Sequence, residues 1–378
     1  MTKIEKLLRD LIALPSVNPA FLPPGDPHAG EHRVADFLAG VASRAGLDVQ
    51  IQRVSSGRSN VLAVLSPRGK VRQRIVLAPH MDTVGGSPLP GEFFKPKMRN
   101  GRLYGRGACD TKGSIASMFS AVLEVASAKQ RPSETEIVFA ALVDEECAQT
   151  GSRTLGASGL KADLAIVGEP TLSQVVTAHK GVLWVQLLTH GKAAHGSRPE
   201  LGRNAVHEMA LIVDALETDY AQKLKKTRHP ILGAGTINVG SIEGGKQPNI
   251  VPADCIISVD RRTLPGEKVP AVIEEMRALL RKKGLKPEFR NMQPLPCLPL
   301  FTDARQPLVA QLMKAANQKK PLGVNYFSDA GVLAEYGMAS VLFGPGDIAQ
   351  AHTQDEWIAV KQLEQAKETL VIFLKSLA

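Results

Sequence analysis

Three apolar runs of strand length, RIVLAP (74–79), EIVFAALV (136–143) and ADLAIVG (162–168), each stop on side chains that bind metals: His80, then Asp144-Glu145-Glu146, then Glu169. Short apolar runs of this kind, alternating with helical periodicity, read as strands of an α/β fold, a mostly parallel sheet with helices on both faces. In an open α/β sheet the ligand crevice lies beyond the carboxyl ends of the strands. The acidic and imidazole tips are therefore expected to meet in one pocket.

The remainder of the chain fits around that sheet. Thr2 and Glu5 form a capping box ahead of Ile4, Leu7, Leu8, Leu11 and Ile12 at helical spacing, and Pro15 ends the helix. FLPPGDPHAG (21–30) reads as a loop, GEHRVADFLAGVASRAG as a helix closed by Gly46, and LDVQIQRV and SNVLAVL as strands. A helix is expected after Asp110 and a short one near 151–159. Between 179 and 292 the pattern changes. There GVLWVQLLTH reads as a strand, Asn204 to about Tyr220 as a helix, TINVGSI and CIISVDRRT as strands, and Glu267 to about Lys283 as a helix. This β-α-β-β-α order predicts a small α+β sandwich with its helices on one face of an antiparallel sheet. From 293 to 378 the helix–strand–helix pattern returns around SVLFGPG (340–346), so 1–178 and 293–378 read as one discontinuous domain with 179–292 inserted. A chain of 378 residues exceeds what one core usually supports, which agrees with two domains.

Composition removes several classes of function. The 46 Lys and Arg outnumber the 37 Asp and Glu for a net charge of +9, and 179–292, with 18 against 12, carries +6 of it. Aromatic residues make up only 4% and do not interleave with the basic ones, so the stacking platforms of a single-strand nucleic-acid binder are missing. KLKKTRH (223–229) and RKKGLK (281–286) read as solvated helix faces, and no nucleic-acid partner is expected. The longest apolar run, GVLWVQLL, is far short of the roughly 20 residues a bilayer span needs, so no membrane association is expected. The opening MTKIEKLLRDLIAL lacks the apolar core and cleavage site of a secretory signal. Cys109, Cys147, Cys255 and Cys297 form no Cys-x-x-Cys pair, against both a disulfide framework and a thiolate zinc site. A cytoplasmic location is expected. Cys109 and Cys147 read as packing residues, since no base lies at thiol-activating spacing.

Two more metal-competent groups join the strand tips: Asp110, in LYGRGACDTKG where a Gly-rich loop meets a helix, and His352, in AQAHTQDEW after the SVLFGPG strand. Imidazole and carboxylate ligands suit zinc, and also manganese or cobalt. One catalytic zinc takes three protein ligands and a water, so five ligands with a spare carboxylate point to two metals bridged by one Asp. A single His or Asp at a strand end is ordinarily a turn residue. Five at successive strand ends, with Glu145 beside Glu146, are not accounted for that way.

PHMDTV (79–84), GRGACDTKG (105–113), DEE (144–146), GEPT (168–171), GKAAHGSRPELGRNA (191–205), PNIVPA (248–253) and AHTQDEW (351–357) span nearly the whole chain. In these motifs and their order the sequence resembles the acetylornithine deacetylase and succinyl-diaminopimelate desuccinylase family of two-metal amidohydrolases, which also includes aminoacylases and glutamate carboxypeptidases. The resemblance implies a zinc-peptidase-like catalytic domain and an inserted lid and dimerisation domain. It makes Asp110 the bridging ligand, with His80 and Glu169 completing one metal site and Glu146 and His352 the other. Two divalent ions are implied, zinc foremost, with cobalt or manganese as alternatives. Glu145 becomes the general base, and Asp82 the acceptor that fixes the His80 imidazole. A cis peptide is implied between Asp110 and Thr111. His195 resembles the histidine that family members deliver across a dimer to the oxyanion, which implies a homodimer through the lid domain.

The implied reaction is hydrolysis of an N-acyl amino acid by a metal-bridged hydroxide, with Glu145 taking the proton and returning it to the amine. Arg262 resembles the arginine that clamps the substrate carboxylate. Arg261 stays open as its replacement, because adjacent strand residues face opposite sides. Asn249 is expected to hold the scissile group, and Gly344 with Gly346 to line the pocket. Glu169, a Glu where peptidase branches have Asp, resembles the deacetylase and desuccinylase branches, and AHKGVLW with GKAAHGSRPELG is similar to acetylornithine deacetylases. A dipeptidase or carboxypeptidase is the alternative within the family. A non-catalytic binding relative is the alternative outside it, opposed by the retention of all five ligands and the base.

Overall fold

The computed structural model describes residues 1–86, 91–129, 131–292 and 295–377. They form two compact units. The larger comprises Met1–Thr177, Thr302–Leu322 and Ser328–Ala378, and its sheet is built from strands whose apolar residues are buried on both faces. Helix α1 (Lys3–Ile12) starts where Thr2 Oγ1 accepts the Glu5 N–H at 3.3 Å, and it buries Ile4, Leu8, Leu11 and Ile12. Then follow α2 (His32–Arg44), β1 (Asp48–Ser55), β2 (Arg58–Leu65), β3 (Gln73–Pro79), α3 (Lys112–Ser127), β4 (Thr135–Ala141), α4 (Thr150–Ala157) and β5 (Leu164–Gly168).

The strand order is β1-β2-β4-β3-β5 followed by Ser340–Leu342. The four central strands run parallel, with Val76 opposite both Val138 and Ala165, and Val341 opposite Ile166. Toward one edge β1 and β2 run antiparallel to their neighbours, and on the other side Val176–His179 pairs antiparallel with Ser340–Leu342. Ile75, Leu77, Ile137, Phe139 and Ile166 share one core with α1, α2, α3 and the C-terminal helix Val360–Lys375. The alternate residues Val76, Val138 and Ala165 point the other way and are equally buried. On that side of the sheet α4 packs on β1 and β2, and the helix Asp329–Glu335 on β5 and Ser340–Leu342. Because the central strands are parallel, their carboxyl ends open on the same edge of the sheet.

The smaller unit comprises Ala178–Phe301 and Gly323–Phe327. Its antiparallel sheet has the order Thr236–Gly244, Asp254–Thr263, Gly181–His190, Glu288–Asn291. Met209 and Ile212 from Ala205–Asp214, and Val272, Met276 and Leu280 from Val269–Lys282, pack on Val185, Leu187, Ile257 and Val259. Three details differ from the sequence reading. The helix after Asn204 passes through a π turn at Ala215–Tyr220 before Ala221–Leu224, and Glu288–Asn291 adds a strand to the sheet. The return to the larger unit comes at Thr302, not at 293, which lies outside the described residues. The chain stays with the small unit that long because the Cys297 carbonyl accepts the Val182 N–H at 2.8 Å and Leu300 pairs with His179. No helix among the described residues is long and apolar enough to cross a membrane.

Candidate metal centre

His80 follows β3, Glu145 and Glu146 follow β4, and Glu169 follows β5, so the parallel order delivers all of them to one end of the sheet. Asp110 arrives in the turn before α3, and His352 in the loop after Ser340–Leu342. Asp110 stands at the centre. Its Oδ1 lies 3.1 Å from His80 Nε2 and its Oδ2 3.3 Å from His352 Nε2, which is also 3.2 Å from Glu146 Oε2. Two groups of side chains can each hold a metal ion, His80–Asp110–Glu169 and Asp110–Glu146–His352, with the ligand atoms of each group within 4.8 Å of one another. These are the five residues the sequence singled out, divided as the resemblance divides them. The peptide between Asp110 and Thr111 is cis.

The donor set suits divalent ions. His80, Asp110 and Glu169 are buried, and Glu146 Oε1 and Glu169 Oε1 have no hydrogen-bond partner among the described residues. A buried carboxylate oxygen without a donor costs free energy unless a cation faces it. The electrostatics agree. Burial and the neighbouring acids push Glu145 and Glu169 well above the usual carboxylate range, and burial with Asp110 raises Glu146 to about 7. Hydrogen bonds to Asp110 and Glu146 raise His352 to about 10. For His80, burial favours the neutral ring, but hydrogen bonds to Asp110 and Asp82 outweigh it and hold the group well above its ordinary value. Asp110 resists its own burial and stays below the carboxylate range because both histidines bond it. The pocket thus carries more acid than its own cations balance, and bound divalent ions reverse that logic.

Asp82 does more than the sequence suggested. Its carboxylate Oδ1 lies 3.4 Å from His80 Nδ1, whereas its backbone carbonyl is closer at 2.9 Å. The carboxylate mainly holds the acidic turn: Oδ1 accepts the Glu145 N–H and Oδ2 the Glu146 N–H, each at 3.1 Å, and Asn18 Nδ2 donates to Oδ2 at 2.8 Å. Asp144 turns the chain there in the left-handed region at φ 71°. Asp329 is an acid that the sequence reading missed. Fully buried at the start of its helix, it takes hydrogen bonds from Ser152 and Gln149 on Oδ1 and leaves Oδ2 without a partner among the described residues. Burial raises it to about 7. Its signal in the sequence was only the Ser-Asp pair of a helix start.

Gly344 is buried, and a Cβ there would meet the Glu169 carbonyl and Ser114 Oγ at 2.4 Å. It allows the chain to close behind Glu169. In the smaller unit His195 is exposed, and its Nδ1 accepts the Ser197 N–H at 3.1 Å, which leaves the proton of a neutral ring on Nε2. Asn249 is exposed nearby, with its carbonyl taking the Gly196 N–H at 2.7 Å. Arg261 is fully buried and committed to Glu267 and Tyr220. Arg262 is 29% exposed and held by both oxygens of Asp260. Of the two arginines, Arg262 is the more exposed.

Comparison with known proteins follows the same division. A model described as peptidase dimerisation domain matches residues 177–288, and one described as peptidase family M28 matches 60–168. An acetylornithine deacetylase of Myxococcus xanthus is 32% identical over 321 residues, covering 82% of each chain. One of Vibrio cholerae is 31% identical over 349 residues, covering 90% of each. Among solved structures, aminopeptidase PepT of Bacillus cereus has a TM-score of 0.79 at 22% identity, covering 99% of this chain and 97% of that one. The M20 family metallo-carboxypeptidase Sso-CP2 of Sulfolobus solfataricus has 0.78 at 20%, covering 99% of each. At those identities the structural likeness speaks to the fold alone.

Proposed function

This chain belongs to the M20 family of metallohydrolases, and we propose that it hydrolyses the amide bond of an N-acyl amino acid. The reading is carried by two metal-competent groups that share Asp110, with Glu145, buried and under the charges of Glu169, His80 and Glu146, outside both. Its choice of substrate class leans on the curated relatives named acetylornithine deacetylase and on Glu169 in place of Asp.

His80, Asp110 and Glu169 would hold one divalent ion, and Asp110, Glu146 and His352 the other. Bound there, such ions polarise an amide carbonyl and lower the pKa of water toward neutrality. The remaining work falls to the chain. Glu145, as an ionised carboxylate, takes a proton from the attacking water and passes it to the departing amine nitrogen. Asp82 keeps Glu145 and Glu146 oriented through their backbone N–H groups. His195 presents its Nε2–H to the oxyanion, from the partner subunit of a homodimer formed through the smaller unit. Arg262 clamps the substrate carboxylate, and Asn249 holds the scissile group. The four cysteines, with no Cys-x-x-Cys pair among them, suit a reducing compartment, the cytoplasm.

The test is a substrate panel. Purified chain supplied with zinc, cobalt or manganese should cleave N-acetyl or N-succinyl amino acids faster than dipeptides, and a chelator should abolish the activity. The reverse preference makes it a peptidase. Two bound ions with no turnover of either class make it a binding relative. The dimer has its own test: mixed Glu145→Ala and His195→Ala chains should regain activity that neither has alone, and failure to do so removes the trans role of His195.

A further inference from the structure

Glu356 lies four residues after His352, and its carboxylate is buried at 3% exposure. Its Oε1 accepts the backbone N–H of Cys109 at 2.8 Å and of Asp110 at 3.0 Å. Its Oε2 accepts the Gly107 N–H at 3.0 Å and the Arg106 guanidinium at 3.1 Å. The backbone is tied in as well. The Glu356 carbonyl accepts the Gly105 N–H at 3.0 Å, and Trp357 pairs with Tyr104 in a small sheet. Arg106 Nη1 also donates to the Thr353 carbonyl at 3.1 Å, next to His352. One carboxylate therefore joins the turn that presents Asp110 to the loop that presents His352.

Resting on the proposal that the cage holds two divalent ions, we infer that Glu356 is a positioning residue for one of them, the ion held by Asp110, Glu146 and His352. The asymmetry comes from the chain path. Two of those three ligands sit on the segments Glu356 joins. In the other group only Asp110 does, because His80 and Glu169 are carried on β3 and β5. A neutral Gln in its place would have one oxygen to accept with, and its amide N–H groups would face backbone N–H groups that have no other partner among the described residues. The turn would lose its fixed geometry while Asp110 and His352 remained in the sequence.

The experiment is a zinc or cobalt titration of the full-length chain after chelation, read by ion stoichiometry, affinity and the cobalt visible spectrum. Wild type should take up two ions. Glu356→Gln should keep one at wild-type affinity and bind the other roughly 10- to 100-fold more weakly, the range seen when groups supporting a metal ligand are altered. Combining variants identifies the site: adding Glu356→Gln to His352→Ala should change nothing further, whereas adding it to His80→Ala should weaken the ion that variant retains. Two ions on Glu356→Gln at wild-type affinity overturn the inference, as does equal weakening of both. Wild type that takes up no ion overturns the cage and this inference with it. Circular dichroism of the metal-free variant checks folding. If Glu356→Gln does not fold, Glu356→Asp, which keeps the charge but is one methylene too short to reach both sets of donors, is read in the same titration; wild-type binding there overturns the inference.

Discussion

Asp144 and Glu146 lie two positions apart in sequence, yet they belong to two buried acid clusters built on opposite principles. In the first, Glu31, Asp82 and Asp144 have a protein donor on every carboxylate oxygen. Arg58 reaches both oxygens of Glu31 and donates to Asp144 at 2.9 Å, Asn18 bridges Asp82 and Asp144, and Thr150 Oγ1 donates to Asp144 at 2.6 Å. In the second, Glu146, Glu169 and Asp329 each keep one buried oxygen without a partner among the described residues. The difference separates acids that brace the fold from acids set out for a cation. Each orphan oxygen costs the fold free energy unless an ion supplies the missing charge.

The comparison breaks first at Glu145, which feels the charges of the second cluster without belonging to either ligand group. Glu145→Gln should lower kcat by about 10²- to 10⁴-fold, the usual share of a general base, while the protein still takes up two ions. If ion content falls along with activity, Glu145 is a ligand and its role has been misread. A smaller effect is expected in the bracing cluster. Arg58→Met strips Glu31 and Asp144 of their cation, and breaking a buried pair in this way should cost about 3 kcal/mol in urea unfolding. A loss near zero would mean that Asn18, Thr150 and backbone N–H groups already carry the load.

The second cluster was the more legible of the two in the sequence, for a physical reason. Parallel strands put their carboxyl ends together, so His80, Glu146 and Glu169 announce a common site by being strand tips. Asp110 and His352 were less directly legible, read from a Gly-rich loop meeting a helix and from the segment after SVLFGPG, and their division between two metals needed the family's motifs. The bracing cluster depends on long-range approach. Glu31 read as a helix residue and Arg58 fell between two strands, yet they meet Asp144 across 113 and 86 positions of chain. Glu356 was quoted within its motif without a role for the same reason, since its partners lie about 250 residues earlier. In the fold, the strands and helices of both units followed hydrophobic pattern. The π turn at Ala215–Tyr220 and the late crossing at Thr302 did not, because tertiary hydrogen bonds decide them.

Asp329 gives the finest division between the clusters, because its partners are few and it lies outside both ligand groups. Burial, with the nearby acids adding to it, raises its folded value from the ordinary 3.8 to about 7, while Ser152 and His80 pull the other way. Between those two values the folded chain holds a proton that the unfolded chain has released. This contribution to stability is therefore full below pH 3.8 and is lost as pH rises through about 7. With ions stripped by chelator, so that no divalent charge offsets burial, unfolding free energy should fall by roughly 1–2 kcal/mol between pH 5 and 7 on account of this group. Asn cannot release a proton but keeps an oxygen to accept from Ser152, so Asp329→Asn should remove that part of the slope. Urea unfolding of both chains at pH 5, 6 and 7 measures it. Parallel slopes would move Asp329 to the braced side of the comparison, with its charge met by donors as Asp144 is.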